Sequence, residues 1–154
     1  CWTGRRNPMS AVVDFLNGDG ADRAGRTLEQ VLLFDDAALE RHHDYIQWLF
    51  PLTEPSGAVP GSPVLSAADV AALRSSTEAQ GNLRRGAARM LAFYRDTRHW
   101  RAPVDHNHLR ITRILRSLRL LVSDAAADDF HAAIANLSAE APINARSRAF
   151  WAAA

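Results

Sequence analysis

Apolar positions recur along the chain at three- and four-residue intervals, in short runs broken by Gly, Pro, Ser, Asn or Asp. No stretch alternates apolar and polar residues for long enough to suggest a strand, so the pattern predicts helices and no sheet. A short first helix is expected in "SAVVDFLNG", with Ser10 as its cap and Asn17-Gly18 as its stop. Gly18, Gly20 and Gly25 then mark a loop. "TLEQVLLF" opens with a capping-box spacing, Thr27 to Gln30, and "DDAALERHH" offers Asp35 or Asp36 as its cap. Asp44 is placed to cap "YIQWLF", which Pro51 ends.

A connector rich in Pro and Gly, residues 51–63, separates this half from the next. Ser66 and Asp69 have a box-like spacing at the head of a segment read as one long helix or two stacked ones. Gly81 and Gly86 are its weak points, each costing about 1 kcal/mol relative to Ala. Further helices are expected in "HNHLRITRILRSLRLLV" after Asp105, in "SDAAADDFHAAIANL" after Ser123, and in "INARSRAFWAAA" after Pro142. The prediction is an all-α fold, one multi-helix domain over residues 1–154 with short connections and one Pro-rich loop.

Two segments repay a closer look. In "YIQWLF" the apolar residues Tyr45, Ile46, Trp48, Leu49 and Phe50 surround nearly the whole turn and leave only Gln47 polar. Such a segment must be enclosed by other helices, so it reads first as a core anchor and second as a ligand wall. In "LRITRILRSLR" the arginines at 110, 113, 116 and 119 fan across about half of a helix, opposite Ile111, Ile114, Leu115 and Leu118. This is an amphipathic helix facing a core. Leu109 and Leu120 lie among the arginines, which predicts a helix covered on both faces. Arg110 and Arg113 are then expected to find carboxylates or backbone carbonyls, because an unpartnered buried guanidinium is costly.

Composition narrows the function classes. All eighteen basic residues are Arg, and the formal net charge is +1, which disfavours sequence-independent nucleic-acid binding. A basic surface built from Arg84, Arg85, Arg89, Arg95 and Arg98 is kept as a lesser reading, that of a weak nucleic-acid-binding protein. Cys1 is the single cysteine, so no intrachain disulfide is expected, and no apolar run suggests a signal peptide or a membrane span. A cytoplasmic location is the default. No Gly-rich phosphate loop and no nucleophile elbow occur, and no cofactor is expected. His42-His43 and His106-Asn107-His108 could serve a metal- or His-dependent enzyme, but neighbouring histidines on a helix point about 100° apart. No metal site is predicted, and an enzyme is the less favoured class.

The segments "HDYIQWLFPLTEP" and "HNHLRITRILRSL" resemble the two signature stretches of the opioid growth factor receptor conserved domain. "FLNG" near the start, an Arg- and Met-containing helix before the second segment, and "FW" near the end are similar to further pieces of that family. The lysine-free, Ala- and Arg-rich composition fits a bacterial or fungal member. The resemblance implies a non-enzymatic, receptor-like module that binds a small molecule or peptide, the family name pointing to an opioid peptide. It also leaves a nuclear or membrane-associated location open. The candidate ligand-binding residues are those where the two segments can meet: His43, Gln47, Trp48, His106, Asn107, Arg110 and Arg113. The same residues could instead form a buried polar network that supports the core.

Overall fold

The computed structural model describes residues 11–154, and the Ser10 cap lies outside them. In its first half the helices are short, and the second and third have side-chain caps of their own. α1 (Ala11–Leu16) stops where Gly18 takes a positive φ and donates to the Phe15 carbonyl. α2 (Leu28–Leu32) carries the full capping box. Gln30 N–H donates to Thr27 Oγ1 at 3.3 Å, and Thr27 N–H donates to Gln30 Oε1 at 2.9 Å. α3 (Asp36–Arg41) is capped by Asp35, which accepts from Ala38 N–H.

α4 (Ile46–Leu49) departs from expectation. Its cap position is Tyr45, which is already helical and makes no side-chain cap bond. Asp44 instead accepts from Arg26 at 2.8 Å. The charge of a guanidinium outcompeted a lone backbone N–H for this carboxylate.

α5 (Ala67–Ser75) and α6 (Thr77–Asp96) are two helices, and neither glycine divides them. The break falls at Ser76, whose extended backbone ends α5 while its hydroxyl accepts from Ala79 N–H and starts α6. Gly86 lies inside α6 facing Phe50, where an added Cβ would sit 3.4 Å from the ring. A 3₁₀ turn, His99–Arg101, leads to α7 (Asn107–Leu121), α8 (Asp124–Leu137) and α9 (Ala145–Ala153). At the head of α7 the Asp105 carboxylate does accept from Asn107 N–H at 2.9 Å, although His106 occupies the cap position. Ser123 caps α8 as expected.

The nine α-helices among the described residues are joined by turns and loops, with no strand and two isolated bridges, Ala21 to Thr27 and Leu52 to Val64. One apolar cluster draws side chains from all nine. Tyr45, Leu49, Phe50, Phe93, Tyr94 and Trp100 are fully buried or nearly so, and the aromatic block is the anchor its pattern predicted. α7 packs against α5, α6, α8 and α9. It is not covered on both faces, however. Leu120 is partly buried, but Leu109 is 72% exposed.

Candidate functional site

A helix leaves its last carbonyls without intrahelical partners, and short helices have little else. Here α7 supplies the missing donors. Arg110 is only 7% exposed, and its guanidinium donates to the carbonyls of Leu39 at 2.9 Å and His42 at 2.8 Å. It also donates to Tyr45 Oη at 3.3 Å and to His43 Nδ1 at 3.1 Å. Because a guanidinium can only donate, His43 accepts at Nδ1 and carries its proton on Nε2. Arg113 Nε donates to the Phe50 carbonyl and Ser117 Oγ to that of Pro51, both at 2.9 Å. The two motif segments are therefore joined along residues 39–51 by donors at one face of α7. Of the two kinds of partner expected for Arg110 and Arg113, carboxylates or backbone carbonyls, both meet backbone carbonyls.

Where the segments diverge they leave a cleft of about 580 Å³. One wall is α7, through His106, Leu109, Thr112, Arg113 and Arg116. The other is Ile46 and Gln47 of α4, with the loop from Leu52 to Val59 closing it. An ion pair, Arg116 to Glu54 at 2.6 Å, holds that loop near its start, and a hydrogen bond from Arg23 to the Pro60 carbonyl at 3.3 Å holds it just past its end.

Five of the seven residues proposed from the sequence line this cleft: His43, Gln47, His106, Arg110 and Arg113. The rings of His43 and His106 meet edge-on, 5.5 Å apart. Trp48 does not line it. The indole packs edge-on against Phe15 and lines a separate small depression beside Arg23 and Asp44. Asn107 is buried behind the cleft, accepting from Tyr94 Oη and donating to Glu40 and Asp105. Ile46 and Gln47 take the side of α4 that faces the cleft, and Trp48, a further step of about 100° round the helix, turns away from it toward Phe15.

Sequence reasoning missed Glu40. Its carboxylate takes His106 Nε2 at 2.7 Å, His99 Nε2 at 2.9 Å and Asn107 Nδ2 at 3.0 Å. Partial burial pushes the Glu40 carboxyl up, but the Asn107 and His99 hydrogen bonds and the two imidazoles outweigh it and hold it below its ordinary value. No local pattern marks this residue, because its partners lie about sixty residues further on. Among the described residues no group of three or more His, Cys, Asp or Glu is arranged to hold a metal ion. Of the arginines considered for nucleic acid, Arg85, Arg89 and Arg95 are paired with Glu29, Asp36 and Asp96.

The electrostatics of the cleft centre on Arg113. Among the described residues no carboxylate pairs with it, and its Nη2 is buried without a hydrogen-bond partner. Burial, followed by the charge of Arg116, pushes the guanidinium down to about 10, so it stays charged at neutral pH. Gln47 Oε1 is likewise buried with no partner. The one carboxylate on the lining, Glu54, is engaged by Arg116.

Residues 26–99, just under half of the chain, match the family model described as the opioid growth factor receptor conserved region. The chain carries that conserved region. The human opioid growth factor receptor is 41% identical over 101 residues, covering 52% of this chain and 14% of the receptor. The mouse receptor is 41% identical over 98 residues, covering 52% of this chain and 15% of its own length. The rat receptor is again 41% identical over 98 residues, with 17% of its length covered. The chain thus spans about one-seventh of the curated relatives it matches. No solved structure matches it. The matched region contains the first motif segment, α5 and α6, whereas the segment on α7 lies beyond its boundary. No helix among the described residues is long and apolar enough to cross a membrane.

Proposed function

We propose that this chain is a non-enzymatic ligand-binding module, and that the cleft between α4, α7 and the loop 52–59 is its site. The observation that carries the reading is Arg113, a partly buried cation with no carboxylate partner among the described residues, on the wall of a largely apolar cleft. A protein that spends a buried charge without a partner gains stability when a ligand supplies the counter-charge. A cleft of about 580 Å³ lies within the size range of small-molecule sites. The receptors that share the conserved region are named for a growth factor, which fits a binding role better than a catalytic one.

The test is a thermal-shift screen of small carboxylates and phosphates against the wild type and against Ala58→Trp. Ala58 is an exposed loop residue on the cleft wall, so an indole there fills the space with little effect on the core. Anionic ligands are expected to raise Tm in the wild type and to lose that effect in the variant. Equal shifts in both proteins, or none in either, would refute the cleft as a site.

A further inference from the structure

We infer that the ligand is a carboxylate with an N–H or O–H on the neighbouring carbon and an apolar remainder, the chemistry of an N-acyl amino acid. This rests on the cleft reading above and specifies its ligand. Two residues that line one cleft each hold a buried polar atom without a partner, and the two are of opposite kind: Arg113 Nη2, a donor, and Gln47 Oε1, an acceptor. Gln47 is only 5% exposed, so bulk water does not readily serve it. A simple carboxylate answers the guanidinium but offers nothing to an amide oxygen. A simple alcohol or amide answers Gln47 and leaves the charge unmet. A group with both functions side by side satisfies both.

Both side chains belong to the same cleft, Gln47 from α4 and Arg113 from α7, and Arg113 Nε is anchored to the Phe50 carbonyl at the end of α4. The other cationic groups are committed elsewhere, Arg110 to four acceptors and Arg116 to Glu54. Reading of charge therefore falls to Arg113. The remaining lining is supplied by Ile46, Leu52, Pro55, Val59 and Leu109, which suits an apolar side chain. A ligand there would cover Leu109, the leucine that the fold otherwise leaves 72% exposed.

Calorimetric titration of the whole chain with three probes tests this. N-acetylphenylalanine has both groups, 3-phenylpropionate lacks the donor, and N-acetylphenylalanine methyl ester lacks the carboxylate. The first is expected to bind about tenfold more tightly than either of the others. Gln47→Leu should bring N-acetylphenylalanine down to the level of 3-phenylpropionate and leave the latter unchanged. Gln47→Met serves the same purpose if the leucine variant folds poorly. Arg113→Gln, which keeps an N–H for the Phe50 carbonyl, should weaken both acids and spare the ester. A peptide C-terminus shares this chemistry. Acetyl-alanyl-phenylalanine binding more tightly than N-acetylphenylalanine would name a chain end as the source, and the reverse a free metabolite. If the two acids bind equally and both need Arg113, the donor inference fails while the cleft reading stands. If no probe binds, or if binding persists in Ala58→Trp, both fall.

Discussion

Arg110 shows how one side chain can hold several pieces of backbone. Its planar fork reaches two carbonyls from the end of α3, a phenol and an imidazole at once, and its body lies 5.6 Å from the Tyr45 ring centre. A lysine carries the same charge but has a single point of donation on a flexible stem. Arg110→Lys should therefore lower stability by about 3 kcal/mol, because buried carbonyls at Leu39 and His42 lose their donors. Urea unfolding measures this, and a change below about 1 kcal/mol would mean that water replaces the guanidinium. The need for carboxylate or carbonyl acceptors was legible in the sequence, since an unpartnered buried guanidinium on an apolar helix is costly. Which carbonyls they would be was not, because that depends on how α3 and α4 turn. Glu40 was invisible for the same reason.

At the scale of elements, the capping boxes at Thr27 and Ser66 were readable because both partners lie within three residues. The sequence left open one long helix or two, with Gly81 and Gly86 as weak points, and the division falls at neither glycine. Propensity lowers the stability of a helix at glycine, but a serine that can cap a new helix decides where the chain turns, and Ser76 does so. The glycines also differ from each other. Nothing lies within 4 Å of a Cβ added at Gly81, so Gly81→Ala should stabilise the protein by up to about 1 kcal/mol. Gly86 faces Phe50 and Leu49, and Gly86→Val should destabilise it by about 1–3 kcal/mol through overpacking. Thermal melts of the two variants should move in opposite directions. The exposure of Leu109 was also beyond sequence reasoning, since azimuth alone suggests a covering partner and the loop 52–59 leaves a gap instead.

For the molecule as a whole, pH sets limits at both ends. Glu40 has its folded-state carboxyl below the ordinary value of 4.5, so its contribution is complete above that value and is lost as pH falls through the lower one. Glu40→Gln should thus lower Tm at pH 6, and its difference from the wild type should shrink as melts are repeated toward pH 3. A constant difference would show that the carboxylate charge is irrelevant. At the alkaline end, burial pushes the Tyr45 phenol up to about 12 and the Tyr94 phenol in the same direction. Their contribution is complete below pH 10 and disappears as pH rises through the folded-state value. Arg113 has the opposite sense. Its folded-state value is depressed, so at neutral pH its charge opposes folding, and a bound anion removes that opposition.

The bonds from α7 to residues 39–51 also tie the matched region to chain that lies beyond it. α2, α3 and α4 are four to six residues long, far below the length at which a helix persists alone. Their carbonyls wait for donors that are translated more than sixty residues later. A chain ended at residue 99 is therefore expected to lack the bonds that hold residues 39–51, although it keeps the whole matched region 26–99.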